Sequence, residues 1–147
     1  MRRYSTPTKF MCLLACLAAL PLAGCRESTG LQKVIVSGSV KYDGQPISNG
    51  EIRFFPIEGT QGPVSGSPIV NGTYEAKYRD GVPVGKHRVE IMAYRSQKGS
   101  VPEEIAREGG PTEQYLPARF NTDSELTRSV EASTKSLDFD LSSKKKK

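Results

Sequence analysis

The sequence predicts an all-β domain, a β-sandwich of seven strands in Greek-key order. Three observations point there. Short segments alternate apolar and polar residues with a period of two, the period of a half-buried strand. Gly, Pro and Asn punctuate the chain between these segments, as they do in sandwiches. Helical signals are weak: only Ser100-Val101-Pro102-Glu103 has the spacing of a capping box, and it predicts a short helix over residues 103–108, stopped by Gly109.

The first strand is expected over residues 33–42, with Val34, Val36, Gly38, Val40 and Tyr42 on one face and Lys33, Ser37, Ser39 and Lys41 on the other. Asp43-Gly44 and Asn49-Gly50 read as turns. In residues 51–56, Ile52 and Phe54 point one way and Arg53 the other. Residues 59–68 are rich in Gly and Pro and read as loop, leaving Ile69 and Val70 a short strand at most. Asn71-Gly72 is the strongest hairpin signal, and Tyr74, Ala76 and Tyr78 share a face after it. Residues 80–85 form a turn-rich connection. The longest clean strand covers residues 86–95, with His87, Val89, Ile91 and Ala93 inward and Arg88, Glu90, Met92 and Tyr94 outward.

Residues 96–124 are a long irregular stretch, and a connection of that length is uncommon in a compact domain unless it functions or is disordered. Its second half, residues 114–121, is expected to dock on the sandwich edge, with residues 98–112 exposed. Two last strands lie within residues 126–132 and 137–141. Arg128 shares a face with Leu126 and Val130, so that strand is at an edge or Arg128 has a buried partner.

The N-terminus is a leader. Arg2, Arg3 and Lys9 precede an uncharged apolar run of 13 residues, 10–22. That run is too short for a spanning helix, which needs about 20 residues. Leu22-Ala23-Gly24-Cys25 follows: small residues where a protease must approach the backbone, then a thiol, the best nucleophile among side chains for forming a thioether to lipid. These four residues resemble a bacterial lipobox, with cleavage between Gly24 and Cys25 and lipidation at Cys25. The expected organisation is a signal peptide at 1–24, a lipid-anchored tether at 25–32, the sandwich at 33–141 and a basic tail at 142–147. Arg26 stands where inner-membrane retention signals carry Asp, so the resemblance implies the outer membrane in a host that has one.

The net charge of +5 falls to +2 once Arg2, Arg3 and Lys9 leave, and to −2 without the four lysines of 144–147. The domain thus has no basic footprint for nucleic acid. Cys12 and Cys16 lie in the leader, so the mature chain has no free thiol beyond Cys25 and no disulfide.

Several motifs in order resemble the carboxypeptidase regulatory-like domain, a transthyretin-like β-sandwich. They are Val36-Ser37-Gly38-Ser39-Val40, Gly44-Gln45-Pro46-Ile47, Glu51-Ile52-Arg53-Phe54-Phe55-Pro56, Asn71-Gly72-Thr73-Tyr74 and Val82-Pro83-Val84-Gly85-Lys86-His87-Arg88-Val89. Tyr115-Leu116-Pro117-Ala118-Arg119-Phe120-Asn121 and Leu137-Asp138-Phe139-Asp140-Leu141 resemble a bacterial lipoprotein branch of that family. The resemblance implies an accessory or scaffold role and no catalytic residues.

The residues agree with that expectation. A zinc site needs three or four ligands, and His87 is the sole histidine. The transthyretin-like hydrolase of 5-hydroxyisourate uses several histidines and a Tyr-Arg-Gly-Ser chain end; here Tyr94-Arg95-Ser96 is internal and lacks the Gly. Asn121, Asp123 and Glu125 are too few oxygens for a calcium loop. No cofactor, metal or enzymatic activity is expected. Tyr94, Tyr115, Arg119 and Phe120 cluster around the long loop and are a candidate contact surface, or else pack that loop onto the sandwich. The expected partners are membrane lipid, through Cys25, and an envelope protein or polysaccharide. The expected function is an envelope accessory or binding module, or alternatively a glycan- or peptidoglycan-binding lipoprotein that uses residues 96–124.

Overall fold

The computed structural model describes residues 30–97 and 110–144. The expected leader with Gly24 and Cys25, most of the expected tether, the segment read as a short helix at 103–108, and residues 145–147 of the tail lie outside the described residues.

The described chain is all β. Its strands are β1 (Lys33–Val34), β2 (Val36–Tyr42), β3 (Gln45–Pro46), β4 (Asn49–Pro56), β5 (Ser65–Val70), β6 (Thr73–Ala76), β7 (Val82–Pro83), β8 (Gly85–Ser96), β9 (Thr112–Gln114), β10 (Thr127–Val130) and β11 (Phe139–Leu141). Seven of them follow one hydrogen-bonded path, β10-β8-β4-β5-β6-β2-β11. All neighbours on that path are antiparallel except β11, which runs parallel to β2. The sheet curls until its terminal strands face each other: the Arg128 guanidinium of β10 lies 5.0 Å from the Phe139 ring centroid of β11. β1 and β7 form a separate two-stranded sheet.

The curl encloses one core. Val130, Val89, Ile91, Ala93, Ile52, Phe54, Ile69, Tyr74, Ala76, Val36, Val40, Phe139 and Leu141 all point inside, so every strand of the path contributes. Alternation along β8 and β4 therefore places side chains as the sequence predicts. Arg128 is resolved in favour of the edge, since β10 ends the sheet.

Turn chemistry explains two hairpins. Asp43 and Gly44 have φ of 49° and 80°, and Asn71 and Gly72 have 49° and 79°, the paired positive values of a type I′ turn. Asn49-Gly50 is a different case: it opens β4 instead of turning. A Cβ at position 50 would overlap the Met92 carbonyl of β8, so this glycine serves close strand approach.

Other expectations change too. Residues 59–68 are not wholly loop, because β5 begins at Ser65. β5 pairs with β6 only through Ile69 and Val70, so Pro68 sits where β5 has β4 as its single partner. The strand expected over 33–42 breaks at Ile35, whose side chain is exposed. Tyr78 leaves the inward face because the chain turns after Ala76 into a 3-10 turn, Tyr78–Asp80.

The molecule has two distinct ends. The near end is where the chain joins the fold: the Gln32 carbonyl accepts from the Val84 N–H, and β1 lies on β7. β2 runs away from it for about 20 Å, at about 3.3 Å per residue. The far end gathers the Asp43-Gly44 and Asn71-Gly72 turns, the last residues of β8 with β9, and the exit of β11.

Candidate functional site

The far end holds the residues that the sequence singles out. β9 pairs with the last three residues of β8, Tyr94 opposite Gln114 and Ser96 opposite Thr112. From there the chain drops Leu116 and Phe120 into the core. The Tyr42 ring anchors both loop aromatics, with centroids 6.2 Å from Tyr115 and 6.3 Å from Phe120. Asn121 fixes the corner: its Nδ2 donates to the Leu116 and Pro117 carbonyls at 3.2 Å, and its Oδ1 accepts from the Thr122 N–H at 2.8 Å. The Ser124 hydroxyl donates to the Val89 carbonyl. Residues 114–124 are therefore docked, as expected for the second half of the long stretch. Residues 98–109 lie outside the described residues.

The four candidate contact residues do not form one surface. Tyr94 and Tyr115 flank one groove of about 440 Å³, together with Ser48, Asn49, Arg95 and Thr112. The Tyr94 hydroxyl lies 3.4 Å from Met92 Sδ, and the Arg95 guanidinium sits 5.5 Å from the Tyr115 ring centroid while pairing with Glu113. Aromatic faces beside polar rims suit a ligand with one flat apolar side and hydroxyls at its edge. Arg119 and Phe120 line a second groove, about 370 Å³, at the seam between β10 and β11. Phe120 is buried there, and Arg119 acts as a clasp, donating through Nη2 to the Ser142 and Ser143 carbonyls at 2.6 and 2.8 Å. Phe120 thus packs the loop, while Tyr94 and Tyr115 leave part of their surface to solvent.

Sequence reasoning missed Tyr42 and Arg128 as the organisers of these grooves. Tyr42 carried a signal, since it ends an alternating strand on the inward face. Arg128 carried one too, as a charge out of place on an apolar face.

His87 lies inside the sheet, with Nδ1 3.1 Å from the Gly85 carbonyl and its ring edge-on to Phe54 at 6.2 Å. Among the described residues its Nε2 has no hydrogen-bond partner. Burial pushes its pKa below the ordinary histidine value, outweighing the Gly85 carbonyl. The fold accordingly holds the neutral ring, while the unfolded chain protonates near 6.5. The sign follows: stability is full above that value and falls as pH drops below it, because the unfolded state then binds the extra proton. Urea unfolding from pH 8 to pH 5 should show a decline beginning near pH 6.5 that is absent in His87→Leu. Asp43 and Asp138 do not confuse this window. Their carboxylates accept backbone N–H bonds from Ser143 and Ser39 and are held below the usual range, so their contribution is lost only at more acidic pH.

Among the described residues no group of three His, Cys, Asp or Glu side chains is placed to hold a metal ion. Asn121 spends its side chain on its own corner and does not converge with Asp123 and Glu125. No family model, curated protein or solved structure matches the chain.

Proposed function

We propose that this chain is a lipid-anchored accessory or binding module of the cell envelope, without catalysis of its own, on a carboxypeptidase regulatory-like, transthyretin-like β-sandwich. In a host with an outer membrane it is held there. One observation carries the reading: Leu22-Ala23-Gly24-Cys25, which resembles a lipobox, stands only seven residues before Gln32, the first of the described residues that is bonded into the fold. A tether that short spans at most about 25 Å, so it ties the near end of the domain to the bilayer. The far end, with the docked loop and the start of the lysine tail, then faces away from that bilayer and is free to meet a partner.

The lipid makes this durable. One acyl chain gives only marginal binding, whereas two or three, at about 0.8 kcal/mol per buried CH₂, hold firmly. The test is Cys25→Ser, because a hydroxyl is a far weaker nucleophile than a thiolate. Labelled fatty acid should enter the parent chain and not the variant, and the variant should leave the membrane fraction or stay uncleaved. Label retained in Cys25→Ser would refute the anchor.

The Tyr94–Tyr115 groove favours a second reading, a glycan- or peptidoglycan-binding lipoprotein. Retention of the full chain on isolated peptidoglycan or on glycan arrays separates it from the first.

A further inference from the structure

Five large apolar side chains are exposed among the described residues, and their placement is uneven. Leu31, Ile35 and Val64 are 40, 53 and 50 % exposed and border the β1–β7 sheet at the near end, whereas Tyr78, 73 % exposed, lines a groove with Asn49, Glu51, Pro68 and Tyr94. Their neighbourhood is fixed by contacts. The α-carbon of Gly62 faces Leu31 and Pro83, and Gly81 packs on Val34 and Ile35. The Gly81 N–H donates to the Tyr78 carbonyl, and the Ser65 hydroxyl, next to Val64, donates to the Gly81 carbonyl. Val70 is the fifth and lies alone towards the far end.

Ile35 is the sharpest case. It breaks β1 from β2 and turns a β-branched side chain to solvent between two residues that turn inward.

Charge around the patch is arranged for an interface. Lys33 Nζ donates to the Arg79 carbonyl at 2.8 Å, and the Arg79 guanidinium lies 5.4 Å from the Tyr78 ring centroid. The nearby carboxylates of Glu75 and Glu58 are occupied by Lys77 and Lys86, and the exposed Asp80 beside Arg79 is the remaining acidic neighbour. Apolar side chains and two basic groups together match the boundary between acyl chains and anionic headgroups.

We infer that the near end is a membrane-contact surface: Leu31, Ile35 and Val64 rest on the bilayer that holds the lipid, with Lys33 and Arg79 at its headgroups. The inference rests on the lipoprotein reading of Cys25. The chain outside the described residues argues for this occupant. Cys25 is six residues from Leu31, so the patch cannot be more than about 22 Å from the lipidated residue. The tether turns weak contacts into an intramolecular equilibrium at high effective concentration. The domain would then sit upright on its near end, with the Tyr94–Tyr115 groove held away from the membrane.

The test uses the full chain, expressed with its own leader, purified in detergent and reconstituted into phosphatidylethanolamine–phosphatidylglycerol vesicles containing brominated lipid. Labelling is clean: Cys12 and Cys16 leave with the leader and the Cys25 sulfur is a thioether. A fluorophore on Val64→Cys should be quenched by the bromolipid, and one on Val70→Cys should not. Adding Leu31→Ser and Ile35→Ser should relieve the quenching at position 64 while fatty acid stays attached. Equal, unquenched signals from both positions in protein that carries fatty acid and sediments with the vesicles would overturn the inference and leave the anchor standing. Self-quenching at position 64 that depends on protein density, without bromolipid quenching, would assign the patch to a second copy and also overturn it. Absence of fatty acid with no vesicle retention would remove the anchor itself, and the inference with it.

Discussion

Phe54→Ala should lower the stability of the domain by about 3–5 kcal/mol, the cost of removing a large aromatic from a packed core. Phe54 is fully buried in the middle of β4, opposite Val89 of β8 and Ser65 of β5. Its ring meets Tyr74 and His87, each with centroids 6.2 Å away, so truncation leaves two aromatic neighbours facing a void. No cysteine follows Cys25, so no disulfide within the sheet absorbs the loss. A domain of this size has roughly 5–15 kcal/mol in total. At about 4–8 °C per kcal/mol the melting temperature should fall by more than ~12 °C, read by circular dichroism. Phe55→Ala is the control on the other face. Phe55 lies under the Arg88 guanidinium at 4.8 Å and is only partly buried, so its loss should cost about 1 kcal/mol. Equal costs for the two would mean that the assignment of the inner face of β4 is wrong.

That pair of phenylalanines also shows what was legible in the residues. Period two along residues 51–56 and 86–95 separates inside from outside correctly, because a strand with one solvated face has no other way to bury its apolar half. Asp43-Gly44 and Asn71-Gly72 are legible because positive φ has a local cause. Asn49-Gly50 carries the same dipeptide signal and misleads, since the reason for Gly50 is a Met92 carbonyl more than forty residues away. β5 is masked in a similar way: Gly66 has no room for a Cβ against the Ile52 carbonyl, and the glycine reads as loop. At the far end, the docking of Tyr115 and Phe120 could be anticipated from their size and apolarity. Their division between two grooves could not, because it depends on Tyr42 and on the Ser142 and Ser143 carbonyls reaching Arg119. The near-end patch leaves one trace in the sequence, Ile35 out of phase between Val34 and Val36, and the rest follows from where the β1–β7 sheet folds.

Gly38→Ala should detach the C-terminal strand while the rest of the sheet survives. Gly38 is the point where the segment leading into β11 crosses β2. A Cβ there would overlap the Leu137 carbonyl, which is backbone and cannot swing aside as a side chain can. That carbonyl is also the acceptor for the buried Tyr74 hydroxyl at 2.8 Å. Around it the crossing is held by the Leu137 N–H on the Ser37 carbonyl at 2.9 Å and the Ser37 N–H on the Lys135 carbonyl at 3.0 Å. Asp138 Oδ1 completes it, accepting from the Ser39 N–H at 2.7 Å and the Ser39 hydroxyl at 2.8 Å. One methyl group must therefore displace the whole crossing, leave the Tyr74 hydroxyl unpaired inside the core and draw Phe139 out. Overpacking costs about 1–3 kcal/mol, and an unsatisfied buried hydroxyl adds about 1–3 kcal/mol more. The energy is concentrated in one strand at the end of the sheet, so the opening should be local. Hydrogen exchange should accelerate at Leu137 and through β11 and at the β2 amides that face it, while β4 and β8 keep their protection. Lys135 should become an early tryptic site. Uniform loss of protection across all strands would show instead that closure of the sheet by β11 is inseparable from the fold.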